Sequence, residues 1–204
     1  MADATRVEGN ATDIPIYQSN LPEAKALADL YSLHDDMQFV VNTLNRLLEE
    51  NDGFLLQTFL SSALIAYRRL FTSGVRNGLK NADVSGLTKN QGDLHNYLRA
   101  QANKLIAHSV NPFEATKAGI LVKDGRVIGV AKIGARLINF SEGQLKQWGL
   151  LTIEIHETVL KPRIRFAELA LAQAAASLPI AEVINMPTLG VRTAEASDVD
   201  KRRQ

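Results

Sequence analysis

The chain of 204 residues contains no cysteine. Disulfide bonds and cysteine-ligated metal sites are therefore excluded, and nothing in the composition points to secretion. Aromatic residues make up only 6% of the sequence, and they are too scattered to form a surface that stacks single-stranded bases. The formal net charge is only +1, so no basic field over the whole chain argues for nucleic acid.

An export signal and long apolar runs are also missing. The N-terminal sequence Met1-Ala-Asp-Ala-Thr5 has no basic region followed by an apolar stretch. Unbroken apolar runs span only a few residues, whereas a bilayer-spanning helix needs about 20. We therefore expect a cytoplasmic protein with no membrane partner.

Most of the chain has apolar residues at helical spacing. The pattern predicts a first helix from Leu21-Pro22-Glu23 to about Asn51, a second over about 54–79 and a third over about 92–108. The short turn at Asp52-Gly53 makes the first two helices antiparallel neighbours. Leu94, Tyr97, Leu98, Leu105 and Ile106 are expected to face inward from the third helix.

A fourth helix is predicted after Ser141, which resembles a capping box together with Gln144. Pro162 is expected to kink or break this helix before a continuation to about Ser177. The turn signal Asp124-Gly125, flanked by β-branched residues, predicts a β-hairpin at about 118–134.

These elements predict a mostly α fold, a four- to five-helix bundle with one inserted β-hairpin. The polar residues 1–20 are expected to be a flexible arm, residues 21–178 the bundle domain, and residues 179–204 a mobile tail. The hairpin either covers a cleft or forms a dimer edge.

Basic residues collect near the predicted end of the second helix. Arg69 and Arg76 are seven residues apart and would share a helix face, and Lys80 extends them into a short basic ridge. Such cations either compensate the helix dipole or contact phosphate groups.

The histidines do not suggest a metal centre, because no two of them have the i, i+4 spacing of a helical zinc site. The sequence His34-Asp35-Asp36 is interpreted as a solvated helix turn. Around His156 the Glu-x-x-His ligand set of di-iron bundles is incomplete. We expect no metal and no cofactor.

The end of the third helix carries the most specific pattern. His108 lies at its C-terminus, where the helix dipole favours an imidazolium, and Lys104 lies one turn back on the same face. Arg99 lies about 180° around a straight helix from His108, so these two side chains cannot act together within it.

The segment Asn103-Lys-Leu-Ile-Ala-His108-Ser-Val-Asn-Pro-Phe-Glu114 resembles the HEPN superfamily (higher eukaryotes and prokaryotes nucleotide-binding domains). The signature of that family is an Arg followed by four to six residues and a His, often with Asn directly after the Arg. The resemblance implies an all-α bundle, a homodimer whose two motifs face one cleft, and RNA as a partner. It also implies toxin–antitoxin or phage-defence systems, with an antitoxin or regulator as a candidate protein partner.

The resemblance carries His108 and Asn103 over as catalytic positions, with proton transfer assigned to His108. Ala102 stands where the family Arg is expected. Lys104, or Arg76 from the second helix, is the candidate for the missing cation. The candidate nucleic-acid-binding residues are Arg69, Arg76, Lys80 and Arg99.

Three hypotheses follow. The first is a HEPN-like dimeric module that binds RNA or a protein partner in a bacterial or phage defence-type system, with impaired or absent catalysis. The second is an active, metal-independent HEPN endoribonuclease with a substituted cation. The third is a structural or interaction bundle unrelated to RNA.

Overall fold

The computed structural model describes residues 15–72, 76–107, 114–136 and 140–189. Its elements in chain order are α1 (Pro22–Glu49), α2 (Gly53–Arg69), α3 (Lys89–Ala107), β1 (Glu114–Lys123), β2 (Arg126–Arg136), α4 (Glu142–Ile155), α5 (Lys161–Ala176) and α6 (Ile180–Ile184). The predicted fold class is confirmed, because the protein is mostly α-helical with one two-stranded antiparallel hairpin inserted between the third and fourth helices.

The chain divides into two compact units, one formed by residues 29–164 and the other by residues 1–28 and 165–204. In the second unit, Tyr17 and Thr188 form an antiparallel bridge, flanked by backbone hydrogen bonds of 2.7 Å from Gln18 to Pro187 and 2.6 Å from Leu189 to Ile16. The short helix α6 lies within the segment that the sequence predicts as a mobile tail. The expected boundaries near residues 20 and 178 stay a prediction.

The turn between α1 and α2 follows the sequence closely. Asp52 caps α2, since its side chain accepts hydrogen bonds from the backbone N–H groups of Phe54 and Leu55. The end of α2, however, was predicted at Leu79 and lies at Arg69. The chain turns back there, and the N–H of Leu79 donates to the carbonyl of Leu70 at 2.7 Å.

Gly78 permits this return of the chain. A Cβ atom at this position would lie 2.7 Å from the carbonyl oxygen of Thr72 and 3.0 Å from that of Leu70. Backbone atoms cannot move aside as a flexible side chain can, so only glycine allows the two segments to approach this closely.

The core of the larger unit lies between α1, α2, α3 and α4. The apolar residues at helical spacing in α1, α2 and α4 supply most of this core, among them Leu33, Met37, Val40, Leu44, Leu60, Ala63, Leu64, Tyr67, Leu145, Trp148, Leu151 and Ile155. For α3 the predicted face was wrong in part, because Tyr97 is exposed whereas His95, Leu98, Gln101 and Ala102 are buried. The side chains of Leu105 and Ile106 lie outside the described residues. Apolar periodicity could not find this face, since two of its members are polar.

A second capping pair explains why α3 begins before its predicted start at Gly92. The backbone N–H of Thr88 donates to the side-chain oxygen of Gln91 at 2.9 Å, and the N–H of Gln91 donates back to the Thr88 hydroxyl at 3.4 Å. This Thr-x-x-Gln sequence is the same kind of start signal as Ser141-x-x-Gln144.

The β-hairpin forms around the predicted two-residue turn. Asp124 and Gly125 have φ angles of 49° and 71°, as a type I′ turn requires. The pairs Ile120–Val130 and Val122–Val127 lie on one face of the ribbon. All four of these residues are largely exposed to solvent, and the exposed fraction of Val130 is 81%.

The fourth helix does not break at Pro162, so of the two predicted outcomes, a kink or a break, the break is wrong. It passes from α4 through a π-helical turn (His156–Leu160) into α5 without interruption. The N–H of Lys161 donates to the carbonyl of His156, the wider spacing typical of a π-helix. The irregularity that proline imposes is taken up by this turn, and regular helix resumes around Pro162.

Replacing Ser141 by Ala should lower the free energy of unfolding by about 1 kcal/mol, because the start of α4 loses a capping group. In the structure the Ser141 and Gln144 side chains each bond the other's backbone N–H, at 3.3 and 2.9 Å. Urea denaturation measures the change. Ser62→Ala, in the middle of α2, is the control and should be neutral or slightly stabilising. A destabilisation by Ser62→Ala as large as that by Ser141→Ala would contradict the capping role.

Candidate functional site

The candidate site lies where the HEPN-like segment closes α3. Asn103 and Lys104 lie in the last turn and a half of that helix and are exposed. His108 lies outside the residues that the structure describes. The site can therefore be examined from Asn103 and its neighbours on α2.

Position 102 faces the interior. The side chain of Ala102 is fully buried, on the same face of α3 as Leu98 and His95. A guanidinium at this position would enter the core without water or a partner, which is very costly. This chain therefore cannot supply a cation to the site from the position where the family signature has its Arg.

A different arginine reaches the segment. Nε of Arg68, in the last turn of α2, donates a hydrogen bond to Oδ1 of Asn103. Arg68 was not among the residues predicted to bind nucleic acid, because it does not share the helix face expected for Arg69 and Arg76. Arg68 and Asn103 meet only because α2 packs against α3, and no spacing of residues along one helix predicts this contact.

Arg99 belongs to the same surface. It precedes Asn103 by four residues, so the two side chains lie one turn apart on one face of α3. Its guanidinium lies 5.6 Å from the centre of the Phe71 ring and donates to Oδ1 of Asn81. We call Arg68, Arg99 and Asn103 the α2–α3 strip.

A buried hydrogen bond holds the two helices of this strip together. The Tyr67 hydroxyl and Nδ1 of His95 lie 2.9 Å apart in the core. Burial lowers the pKa of His95 to about 4, and the positive charge of Arg99 adds to this effect. Burial also raises the pKa of Tyr67, against the smaller opposing effect of Arg99. Both groups are neutral at physiological pH and position the strip without carrying charge themselves.

The basic ridge predicted from Arg69, Arg76 and Lys80 does not exist as a helix face, because α2 ends at Arg69. Arg69 and Arg76 instead converge on Asp36 of α1, at 3.4 and 2.8 Å from its carboxylate oxygens. Asp36 is buried, so the solvated turn expected at His34-Asp35-Asp36 was a wrong interpretation.

Arg76 has mainly a structural role. Its guanidinium donates to the hydroxyl of Ser32 at 2.8 Å, to Asp36 and, at 2.9 Å, to the carbonyl of Arg69. The last contact compensates the C-terminal end of α2, as a cation at that end does. Nearby, Asp29 accepts hydrogen bonds from the backbone and side-chain nitrogens of Asn77. These contacts anchor the segment after α2 to α1.

Lys80 borders a separate cleft of about 500 Å³, lined by Arg76, Asn77, Asn81, Asp83 and Arg163 among others. Arg163 binds both carboxylate oxygens of Asp83, at 2.6 and 3.0 Å. Chiefly through that contact, it lowers the pKa of Asp83. Arg76 and Arg163 are thus engaged with carboxylates, which leaves this cleft less suited to phosphate than its arginine content suggests.

Comparison with other proteins adds no assignment, because no family model, curated protein or solved structure matches the chain. Within the described ranges, no three His, Asp or Glu side chains come together in a way that could hold a metal ion. No helix in those ranges combines the length and apolar character needed to cross a bilayer.

Replacing Arg76 by Ala should lower the free energy of unfolding by about 2–4 kcal/mol, because the buried Asp36 loses its closest cation. Arg69→Ala is the matched control. The Arg69 side chain is 58% exposed, against 15% for Arg76, although both contact Asp36. An exposed ion pair contributes at most about 1 kcal/mol. Urea denaturation of both variants measures the two changes in the free energy of unfolding. Equal decreases in Arg76→Ala and Arg69→Ala would contradict the anchoring role of Arg76.

Proposed function

We propose that this chain is a HEPN-like module that binds RNA, with impaired or absent catalysis, in a bacterial or phage defence-type system. The observation that carries the proposal is the Arg68–Asn103 hydrogen bond, which brings a guanidinium to the segment that resembles the HEPN signature. Arginine suits this role because its planar donors match phosphate oxygens.

The geometry of the α2–α3 strip supports phosphate binding. Arg68 and Arg99 are partly exposed, and each donates to a neutral amide, Arg68 to that of Asn103 and Arg99 to that of Asn81. By contrast, Arg76 and Arg163 are engaged with Asp36 and Asp83. An RNA phosphate does not have to displace a carboxylate to reach the strip, which favours it over the other arginine positions.

Impaired catalysis is proposed from position 102. In the family signature the Arg and the His act together, and here the buried Ala102 removes the first of them. Of the cations suggested from the sequence, Arg76 is held by Asp36, Ser32 and the end of α2. Binding needs only cations near the segment, whereas cleavage needs one at the reacting phosphate.

The second candidate is an active, metal-independent ribonuclease, and the location of Arg68 favours it. In that mechanism His108 would move a proton to or from the 2′-hydroxyl or the leaving oxygen. Arg68 would stabilise the charge that develops on the phosphorus-bound oxygens. Arg68 thus replaces Arg76 as the candidate for the missing cation.

A single binding experiment tests the proposed function. Fluorescence anisotropy with a short labelled single-stranded RNA should show about tenfold weaker binding for Arg68→Ala, the value for one charge-assisted hydrogen bond. Arg46→Ala is the matched control, because Arg46 is an exposed arginine, 76% accessible, at the far end of α1. Equal affinities of wild type, Arg68→Ala and Arg46→Ala would refute binding at the strip.

Cleavage is measured with the same RNA in the presence of EDTA. The binding module is expected to leave the RNA intact, with wild type and His108→Ala alike. Cleavage by the wild type that disappears in both His108→Ala and Arg68→Ala would instead establish the ribonuclease.

We also propose that the module is a homodimer, as the resemblance implies, with a regulatory or antitoxin-like protein as a further candidate partner. The apolar ribbon face formed by Ile120, Val122, Val127 and Val130 supports self-association. A two-stranded hairpin is only marginally stable by itself, and contiguous exposed apolar residues are typical of interfaces.

Val130→Lys should therefore shift the sedimentation coefficient from dimer towards monomer, because a charge in a buried apolar face is costly. Lys123→Gln is the control, since Lys123 lies on the opposite face of the ribbon and pairs with Arg126. A wild type that sediments as a monomer at all concentrations tested would exclude the dimer.

A further inference from the structure

Two histidines that are 122 residues apart in the sequence face each other in the larger unit. Nδ1 of His34, in α1, lies 2.8 Å from Nε2 of His156, the first residue of the π-helical turn. The two rings are 4.9 Å apart at their centres and tilted by 45°. This distance is that of a short N–H···N hydrogen bond, so one nitrogen donates and the other accepts.

The neighbouring carboxylate decides which nitrogen of His156 carries a proton. Nδ1 of His156 lies 3.0 Å from Oε1 of Glu157. An ionised carboxylate only accepts hydrogen bonds, so Nδ1 must be the donor. In the neutral form of His156 the lone pair is then on Nε2, and Nδ1–H of His34 donates to it.

The closed histidine pair can bind only a limited number of protons. One additional proton can bind to Nε2 of His34, and the contact persists as a charge-assisted hydrogen bond. A second additional proton would place N–H groups on both facing nitrogens at a separation of 2.8 Å. The two imidazolium rings would repel each other, so the closed contact holds one positive charge and not two.

The surroundings of His34 also oppose its protonation. Burial is the main cause that lowers the pKa of His34, the charge of His156 adds to it, and Asp35 opposes it. Among the described residues, Asp35 on α1 acts on His34, Glu157 in the π-helical turn binds His156, and Lys161 at the start of α5 binds Glu157. Lys161 binds Glu157 at 2.6 Å, and this hydrogen bond is the main cause that lowers the pKa of Glu157.

We propose that the His34–His156 contact is an acid-sensitive link between α1 and the π-helical turn. It is closed at neutral pH and opens when the pair takes up its second proton. Turns of the π type occur frequently at functional positions, and the His34–His156 contact joins this one to α1.

The direction of the pH dependence follows from the proton count. The open or unfolded chain has no such limit, and the pair can bind two protons there once the pH is below the ordinary histidine pKa of about 6.5. The closed pair binds one, so its contribution to stability is complete above about pH 6.5 and is lost as the pH falls below it. The loss amounts to at most about tenfold in the opening constant for each pH unit.

NMR of the imidazole rings in the full chain tests the proposal. Between about pH 8 and pH 5, His34 and His156 should titrate as a coupled pair, with the second step at least about one unit below the first. In His34→Asn the amide nitrogen takes the place of Nδ1 and still donates to His156, but cannot titrate. His156 should then show a single step.

Urea denaturation provides a second measurement. On acidification from about pH 7.5 to about pH 5.5, the unfolding constant of the wild type should rise up to about tenfold more than that of His34→Asn. The buried His95 is present in both proteins, so the stability that its protonation costs in acid is the same in both and cancels in the comparison. Independent, single-step titration of the two histidines in the wild type would overturn the proposal, and that measurement needs no variant to fold. The proposal would also be overturned if acidification destabilised the wild type and folded His34→Asn equally.

Discussion

An ion pair between the buried Asp36 of α1 and Arg76 ties the end of α2 to the first helix. A buried carboxylate is tolerated only with a paired cation, and Arg76 provides it at 2.8 Å while also bonding the last carbonyl of α2. The contact therefore fixes both the end of α2 and the path of the chain back along α1. Because α2 ends at Arg69, Arg68 lies in its last turn beside α3.

The candidate site is a consequence of that arrangement. Two neutral groups in the core, Tyr67 and His95, hold α2 against α3. Arg68 follows Tyr67 directly and Arg99 lies one turn after His95, and they donate to Asn103 and Asn81. The division of roles has a simple electrostatic reason. Arginines next to buried acids stabilise the fold, whereas arginines next to neutral amides keep a charge that an anionic ligand can use.

The same physics accounts for where the sequence-based expectations failed. Apolar spacing identified the buried faces of α1, α2 and α4, but α3 buries His95 and Gln101, which a hydrophobic pattern counts as surface. The predicted helix beyond Arg69 failed because Gly78 and the ion pair return the chain on itself. The His34 segment was interpreted as solvated because the arginines that neutralise Asp36 lie far from it in the sequence, and no residue near Asp36 indicates their presence.

Short-range signals in the sequence account for the elements of this protein: the turn at Asp52-Gly53, the helix start at Ser141, the turn at Asp124-Gly125 and the mostly α class. These are local properties, set by caps, turns and periodicity within a few residues. Only the tertiary structure decided the pairs Asp36–Arg76, Arg68–Asn103 and His34–His156, which are 40, 35 and 122 residues apart. Such pairs form because packing brings charged and polar groups together where water is excluded, and no spacing along the chain encodes that meeting.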